Sequence, residues 1–340
     1  MSLRTDTTVG SRSVLVTGAA GYVGSVLVGH LLTRGHRVAA LDLLMYGGDA
    51  LVPYLRHPRF RLHWGNIRDA ATCEEALRGV DSVVHLAAIV GFPACSHRDA
   101  DEVWDVNCGA AVRLFEQANR ENVNRFIFAS SYSNYGIAEA ECLVTEAAAL
   151  HPQSLYAETK VAAEAGILNL AQRLTTAPVL FRFATLFGLS PRMRFDLMLN
   201  QFVLEAHRFR RLVLFQPEVY RSFLHVFDAV RAITSAIETA GSCVEGEIFN
   251  VGSEDASMTK RQVAELVAQR IPGTVVEVEE NGFDGDMRSI RLCCEKIRDR
   301  LSFATSISLE DGITEIAHAL EVGYFSDPDS GYHRNATPLR

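Results

Sequence analysis

Excess positive charge, paired cysteines and long apolar runs are all scarce in this 340-residue chain. The formal net charge is −8, and no cluster of Lys and Arg is strong enough to overturn that balance, so no nucleic-acid partner is expected. The seven cysteines are scattered; only Cys293-Cys294 is adjacent, and no CxxC pair occurs. That pattern argues for reduced thiols in a reducing compartment, and against disulfides, zinc or any other metal site. Met1 to Ser13 is too polar for a signal peptide, and no apolar run approaches membrane-spanning length. A cytoplasmic location without a membrane partner is expected, which leaves the sequon Asn335-Ala336-Thr337 without physical consequence. With 48% hydrophobic and 22% charged residues the chain has the composition of a soluble globular protein. Its length suffices to bury a large core, as one α/β domain with a smaller second lobe.

What is present begins with a glycine-rich turn. Val14-Leu15-Val16 reads as a buried strand, Gly18-Ala19-Ala20-Gly21-Tyr22-Val23-Gly24 follows Thr17, and Tyr22 to Arg34 carries apolar residues at helical spacing. Glycines permit backbone angles and close approaches that a β-carbon blocks, and the helix start at Tyr22 and Val23 offers unpaired N–H groups and partial positive charge to an anion. Gly18, Gly21 and Gly24 fit the three roles of a dinucleotide fingerprint: the turn, the approach of the pyrophosphate, and the packing of helix on strand. Gly35 closes the helix, Arg37 to Leu41 is a second strand, and Asp42 stands at its end, about 20 residues past the glycines. A carboxylate there accepts hydrogen bonds from both ribose hydroxyls of an adenosine. It also repels a 2′-phosphate, and Leu43, Leu44, Met45 and Tyr46 supply no cation to offset that, so NAD is expected over NADP.

Further strands deliver residues to the same edge. Arg59 to Trp64 ends in Gly65-Asn66-Ile67-Arg68-Asp69, where Asn66 can hydrogen-bond an adenine edge and Ile67 can pack on its face. Asp81 to Leu86 leads into Ala87 and Ala88, small residues that suit either close approach of a cofactor or simple packing. Leu86, Ala87 and Ala88 are counted with the cofactor side. Cys95, in the loop from Ile89 to His97, reads as a small buried apolar residue in preference to a substrate wall. Asp99 to Glu121 is a long helix in which Asn107 is an internal polar contact, counted with the cofactor side. Asn124 to Ala129 then delivers Ser130-Ser131-Tyr132-Ser133-Asn134-Tyr135-Gly136.

A helix from Ser154 to about Leu174 contains Tyr156-Ala157-Glu158-Thr159-Lys160, and the i, i+4 spacing puts Tyr156 and Lys160 on one face. A free phenol has a pKa near 10 and is a poor base at neutral pH; a nearby ammonium favours the phenolate and makes a usable general acid or base. Tyr and Lys one turn apart are common on helices. Their meaning comes from the order in which they follow the fingerprint, the acidic strand end and the serine strand end.

In that order the sequence resembles the extended short-chain dehydrogenase/reductase family, in its NAD-dependent nucleotide-sugar epimerase and dehydratase branch. The carriers of the likeness are Thr17 to Gly24, Asp42, Gly65 to Asp69, the His85-Leu86-Ala87-Ala88 stretch, Ser130 to Gly136, and Tyr156 to Lys160, and the match covers nearly the whole chain. The resemblance implies an α/β fold, a Rossmann doubly wound parallel sheet with a smaller α+β substrate-binding lobe. Residues 1–185, with a returning segment at about 222–250, are then the dinucleotide-binding domain, and 186–221 and 251–340 the substrate lobe. It implies Tyr156 as the acid/base toward a sugar hydroxyl, Lys160 on the nicotinamide ribose and holding down the tyrosine pKa, and Ser131 on the reacting oxygen, with Ser133 beside it on the substrate side. Hydride passes between sugar carbon and nicotinamide. Arg194, Arg221 and Arg288, the last following Asp286-Met287 and a turn near Gly282, match places where relatives clamp the diphosphate of a nucleotide sugar. Arg192 reads as a surface cation, and Phe325 to Arg340 as an irregular tail. A homodimer through a four-helix bundle, built from the helices near Asp99–Glu121 and Ser154–Leu174, is implied as well.

Departures from the family pattern narrow the activity. The resemblance places an Asp-Glu pair directly after the serine in 4,6-dehydratases, and a cysteine at position 132 in 3,5-epimerases; here Tyr132 and Ser133 stand there. A 4-epimerase that keeps its NAD bound is the expected function. A 4-ketoreductase consuming external NADH or NADPH uses the same residues, and a non-catalytic dinucleotide-binding regulator is the alternative outside enzymology.

Overall fold

The computed structural model describes residues 10–137, 143–279 and 288–335. Gly282, Asp286 and Met287, the first nine residues and the chain beyond Asn335 lie outside them. Seven strands form one sheet in the spatial order Phe60–Trp64, Arg37–Asp42, Ser13–Thr17, Ser82–His85, Arg125–Ser131, Ala177–Phe183 and Glu247–Val251. Every neighbouring pair is parallel. The apolar runs explain this, because a parallel sheet is covered on both faces and its strands need no polar side.

Alternation along the strands divides the core. Val14 and Val16 face Leu27, Val28 and Leu31 of the Tyr22–Thr33 helix and Val230 and Ile233 of the Val226–Glu238 helix. Leu15 faces the opposite layer, with Leu114 and Phe115 of the Ala110–Arg120 helix and Ala163 and Ile167 of the Leu155–Ala171 helix. The chain order reverses between Ser13–Thr17 and Ser82–His85, and a crevice opens outside the carboxyl ends of these two strands.

A second apolar cluster lies between the Met198–Phe209, Lys260–Arg270 and Leu309–Glu321 helices and a three-stranded sheet of Ser257–Thr259, Tyr220–His225 and Thr185–Phe187. Thr259 and Ser308 cap two of these helices through reciprocal capping boxes with Gln262 and Asp311. Tyr22 belongs to this cluster although it starts the glycine-loop helix; its phenol donates to the Gly188 carbonyl at 2.6 Å. Among the described residues no helix is long and apolar enough to cross a membrane, and no cluster of His, Cys, Asp and Glu has a metal-binding arrangement.

Three local expectations are modified. The long helix is helical over Ala100–Trp104 and Ala110–Arg120, with a π turn at Asp105–Gly109 that carries Asn107. The sequence reads as a helix from about Phe195 to Arg208; the helix begins at Met198, because Asp196 is engaged by the Arg194 guanidinium (3.0 and 2.8 Å) and the Asn335 N–H (3.1 Å). Over its described residues, 325–335, the tail is irregular apart from a 3-10 turn at Gly331–His333, but it is docked. Phe325 packs edge-on against Phe195 and His333, the Phe195 N–H donates to the His333 carbonyl (2.9 Å), and the Tyr46 phenol donates to the Asn335 carbonyl (2.8 Å).

Candidate active site

The crevice deepens into a cavity of about 350 Å³ lined from the glycine turn to Arg288. Gly18 has φ +71°, donates its N–H to the Leu41 carbonyl (2.9 Å), and lies so close to the neighbouring strand end that a β-carbon would sit 2.8 Å from the Ala87 nitrogen. A β-carbon on Gly24 would collide with the Gly18 carbonyl, so the third glycine lets the helix pack on the turn. The helix at Tyr22 starts with Gly21, without a side-chain cap and without an acid in its first turn, which leaves its N–H groups to an anion. Thr17 holds the opposite lip, as its hydroxyl pairs with His85 Nδ1 (2.8 Å) and accepts from the Ala87 N–H (3.3 Å). Burial, with the Lys160 charge adding to it, pushes the His85 imidazole down to about 3 and keeps it neutral.

Asp42 accepts from the Ala20 N–H (2.9 Å) on one oxygen and the Leu44 N–H (2.7 Å) on the other. Burial raises its carboxyl above the usual range, against those two bonds and the Arg192 charge. Asn66, Ile67, Leu86, Ala87, Ala88 and Val23 line the same cavity. Asn107 is one layer back from where the sequence reading puts it. It lies behind the wall, accepting from the Ile89 N–H (2.8 Å) and donating to the Ile89 carbonyl (3.0 Å), so it fixes the backbone next to Ala88. Glycine turn, open helix start and strand-end acid together fit a dinucleotide.

Ser131 ends its strand facing the cavity. The Ser133 hydroxyl (2.8 Å) and N–H (3.2 Å) both donate to it, so Ser133 orients Ser131 from behind and is not itself in the lining. The Leu155–Ala171 helix, capped by Ser154, brings Tyr156 into the same cavity lining as Ser131, whose hydroxyl favours the ionised phenol. Lys160 donates to the Ala129 carbonyl (2.8 Å), and its ammonium lies 4.7 Å from the Phe128 ring centre and 5.9 Å from that of Tyr156. Burial pushes the Tyr156 phenol up to about 12; the positive charges that oppose this most are Arg288 and then Arg194, where the sequence reading assigns that effect to Lys160. Burial pushes Lys160 down to about 8, opposed by Glu164 one turn further along the helix.

Arg194 and Arg288 line the cavity as well. Arg194 is anchored by Asp196, and the Arg288 guanidinium lies 5.1 Å from the ring centre of Tyr132, whose hydroxyl pairs with Thr185 (2.6 Å). Arg221 is outside the lining; it is buried in its strand and donates to the Tyr220 carbonyl (3.0 Å). Among the described lining residues the carboxylates are Asp42 and Glu102, the latter engaged by Arg98 (3.3 Å), so neither forms an acid pair beside Tyr156. Sequence reasoning misses Arg192, Tyr46 and Asn335 in the lining, since each reaches it only through contacts between distant segments.

Comparison with known proteins agrees with this geometry. The chain is 31% identical to the dTDP-glucose 4,6-dehydratase of Streptomyces griseus over 312 residues, covering 88% of this chain and 91% of that protein. It is 30% identical over 319 residues to an uncharacterized UDP-glucose epimerase of Bacillus subtilis, covering 90% and 97%. The crystal structure of UDP-glucose 4-epimerase from Thermotoga maritima with UDP-glucose superposes with a TM-score of 0.80 at 25% identity, covering 92% of this chain and all of that one. Residues 14–252 match the NAD dependent epimerase/dehydratase family, and the chain belongs to that family.

Proposed function

We propose that the chain is an NAD-dependent nucleotide-sugar 4-epimerase. The observation that carries this reading is that Ser131 and Tyr156 line one cavity, with Tyr132 and Ser133, engaged by Thr185 and Ser131, where dehydration needs carboxylates. NAD in this cavity supplies a reversible hydride acceptor. Ser131 donates a hydrogen bond to the sugar oxygen, and Tyr156 takes the hydroxyl proton and later returns it to the same oxygen. The Arg194 and Arg288 guanidiniums bind the diphosphate of the nucleotide sugar and, as the positive charges nearest in effect to Tyr156, favour its ionised form. Asp42 takes the adenosine ribose, and Lys160 the nicotinamide ribose. The domain division at 1–185 with 222–250, against 186–221 and 251–340, belongs to the same reading, as does a cytoplasmic location for a chain whose six described cysteines are free thiols.

The test is the cofactor content of freshly purified, heat-denatured protein, followed by a screen of UDP- and dTDP-sugars without added cofactor. Near-stoichiometric NAD⁺ and interconversion of 4-epimers are expected. An empty protein that oxidises NADPH with a 4-keto sugar would replace this reading with the ketoreductase.

A homodimer is part of the proposal. The Ala110–Arg120 and Leu155–Ala171 helices pack closely at Gly166, where a β-carbon would lie 2.7 Å from Val112, and pairing this two-helix unit across a two-fold axis makes a four-helix bundle. Light scattering is expected to give twice the chain mass of 37.4 kDa; a monomer mass would remove the bundle.

A further inference from the structure

Two arginines in this protein are buried to a similar degree and are treated in opposite ways. Arg182, 3% exposed, is held by both oxygens of Glu164, which outweighs the cost of its burial and raises its pKa. Arg192, 1% exposed, makes no ion pair among the described residues, and the Asp196 carboxylate that favours its charge is held by Arg194. Its guanidinium lies 4.4 Å from the ring centre of Tyr46 and donates to the Arg334 carbonyl (3.0 Å), while its buried Nε has no acceptor. Burial accordingly pushes it down to about 10. A buried guanidinium with an unpartnered Nε and no ion pair is costly unless an anion completes the site.

The position of Arg192 says which anion. Two residues earlier, the Ser190 hydroxyl donates to the Tyr22 carbonyl (2.7 Å) and lies 3.1 Å from the Ser25 hydroxyl, so this segment of the second lobe is stitched to the first turn of the glycine-loop helix. In the other direction its charge is felt by Asp42. Arg192 therefore lines the cavity between the open helix start and the acid expected at the adenosine ribose, the span that the diphosphate of an ADP group covers.

We propose that Arg192 binds the diphosphate of the dinucleotide from the side opposite the glycine turn, held in place by the face of Tyr46 and the Arg334 carbonyl. The proposal rests on reading the cavity as the NAD site. It gives the second lobe a direct hold on the cofactor, where the fingerprint alone supplies only backbone N–H groups. A 2′-phosphate is the other anion that a cation near Asp42 can meet, but the Asp42 carboxylate disfavours it.

The experiment compares adenosine, ADP and adenosine 2′,5′-bisphosphate by calorimetry on the full chain freed of cofactor, in the wild type and in Arg192→Met and Arg192→Gln. Gln keeps a donor for Arg334 and decides the matter if Met impairs folding. The preference for ADP over adenosine is expected to fall about 10- to 100-fold in both variants, the value of one or two charge-assisted hydrogen bonds, with adenosine affinity unchanged. An unchanged preference, or an equal loss for adenosine and ADP, overturns the proposal. So does a loss confined to the 2′-phosphorylated ligand, which would assign Arg192 to that phosphate. A wild type that binds none of the three overturns the NAD-site reading itself, and is thereby distinguished from a failure of Arg192.

Discussion

Tyr156→Phe is expected to lower kcat by about 10²- to 10⁴-fold while the protein stays folded and keeps its NAD, because general acid–base transfer is worth roughly that factor. The substitution removes one oxygen from a ring seated against the Leu155–Ala171 helix and the cavity wall, and Ser131 keeps its bonds from Ser133. What is lost is the atom that exchanges a proton with the sugar. Melting temperature and released NAD⁺ serve as the controls, and kcat as the readout. Undiminished kcat would rule out proton transfer at Tyr156, and full biological effect without turnover would favour the regulator. In the wild type, kcat/KM is also expected to fall as pH rises through about 8, since burial places the loss of the Lys160 proton there and the lost charge is the one that holds the cofactor ribose.

Arg182→Met is expected to destabilise the protein by about 3–5 kcal/mol, the usual cost of leaving one partner of a buried ion pair alone. Glu164 is 3% exposed, and besides Arg182 it accepts from the Ser130 hydroxyl and the Asn134 amide (2.9 Å). Arg182 also donates to the Tyr135 hydroxyl (2.9 Å), which in turn donates to Asn250 (2.7 Å), so the pair joins three strands to the helix of Tyr156 and Lys160. Urea unfolding measures the loss. The double variant Glu164→Leu/Arg182→Met is expected to regain much of it, because neither buried charge then remains. If the single variant unfolds at the wild-type midpoint, the pair carries no such weight.

The parts of the fold that were legible in the sequence are those set by neighbours along the chain. Gly18, Gly21 and Gly24 meet local steric limits, Asp42 follows a strand of clear pattern, and Tyr156 and Lys160 share a face by helix geometry alone. The doubly wound parallel sheet was legible through the family resemblance, and parallel strands with crossover helices leave few arrangements for it. The rest depended on segments that meet only after folding. Arg192 looks like any loop cation until it is seen against Tyr46 and Arg334. Asn107 reads as a helix residue, and only the π turn and its two bonds to Ile89 show that it shapes the wall from behind. Polar composition hid the docking of the tail, because its anchors are the Phe325 and His333 rings against Phe195, the Arg208–Asp329 ion pair, and bonds to the tail's backbone.

That docking sets how late in synthesis the cavity wall can be completed. The cavity wall draws on Gly18 and Asn335, so the ribosome must release nearly all of the intervening chain before the wall can close. A nascent chain has its glycine turn early and lacks Tyr46's partner until the end of that interval. Closure of that wall is therefore a late event in biosynthesis, and it joins segments more than 300 residues apart.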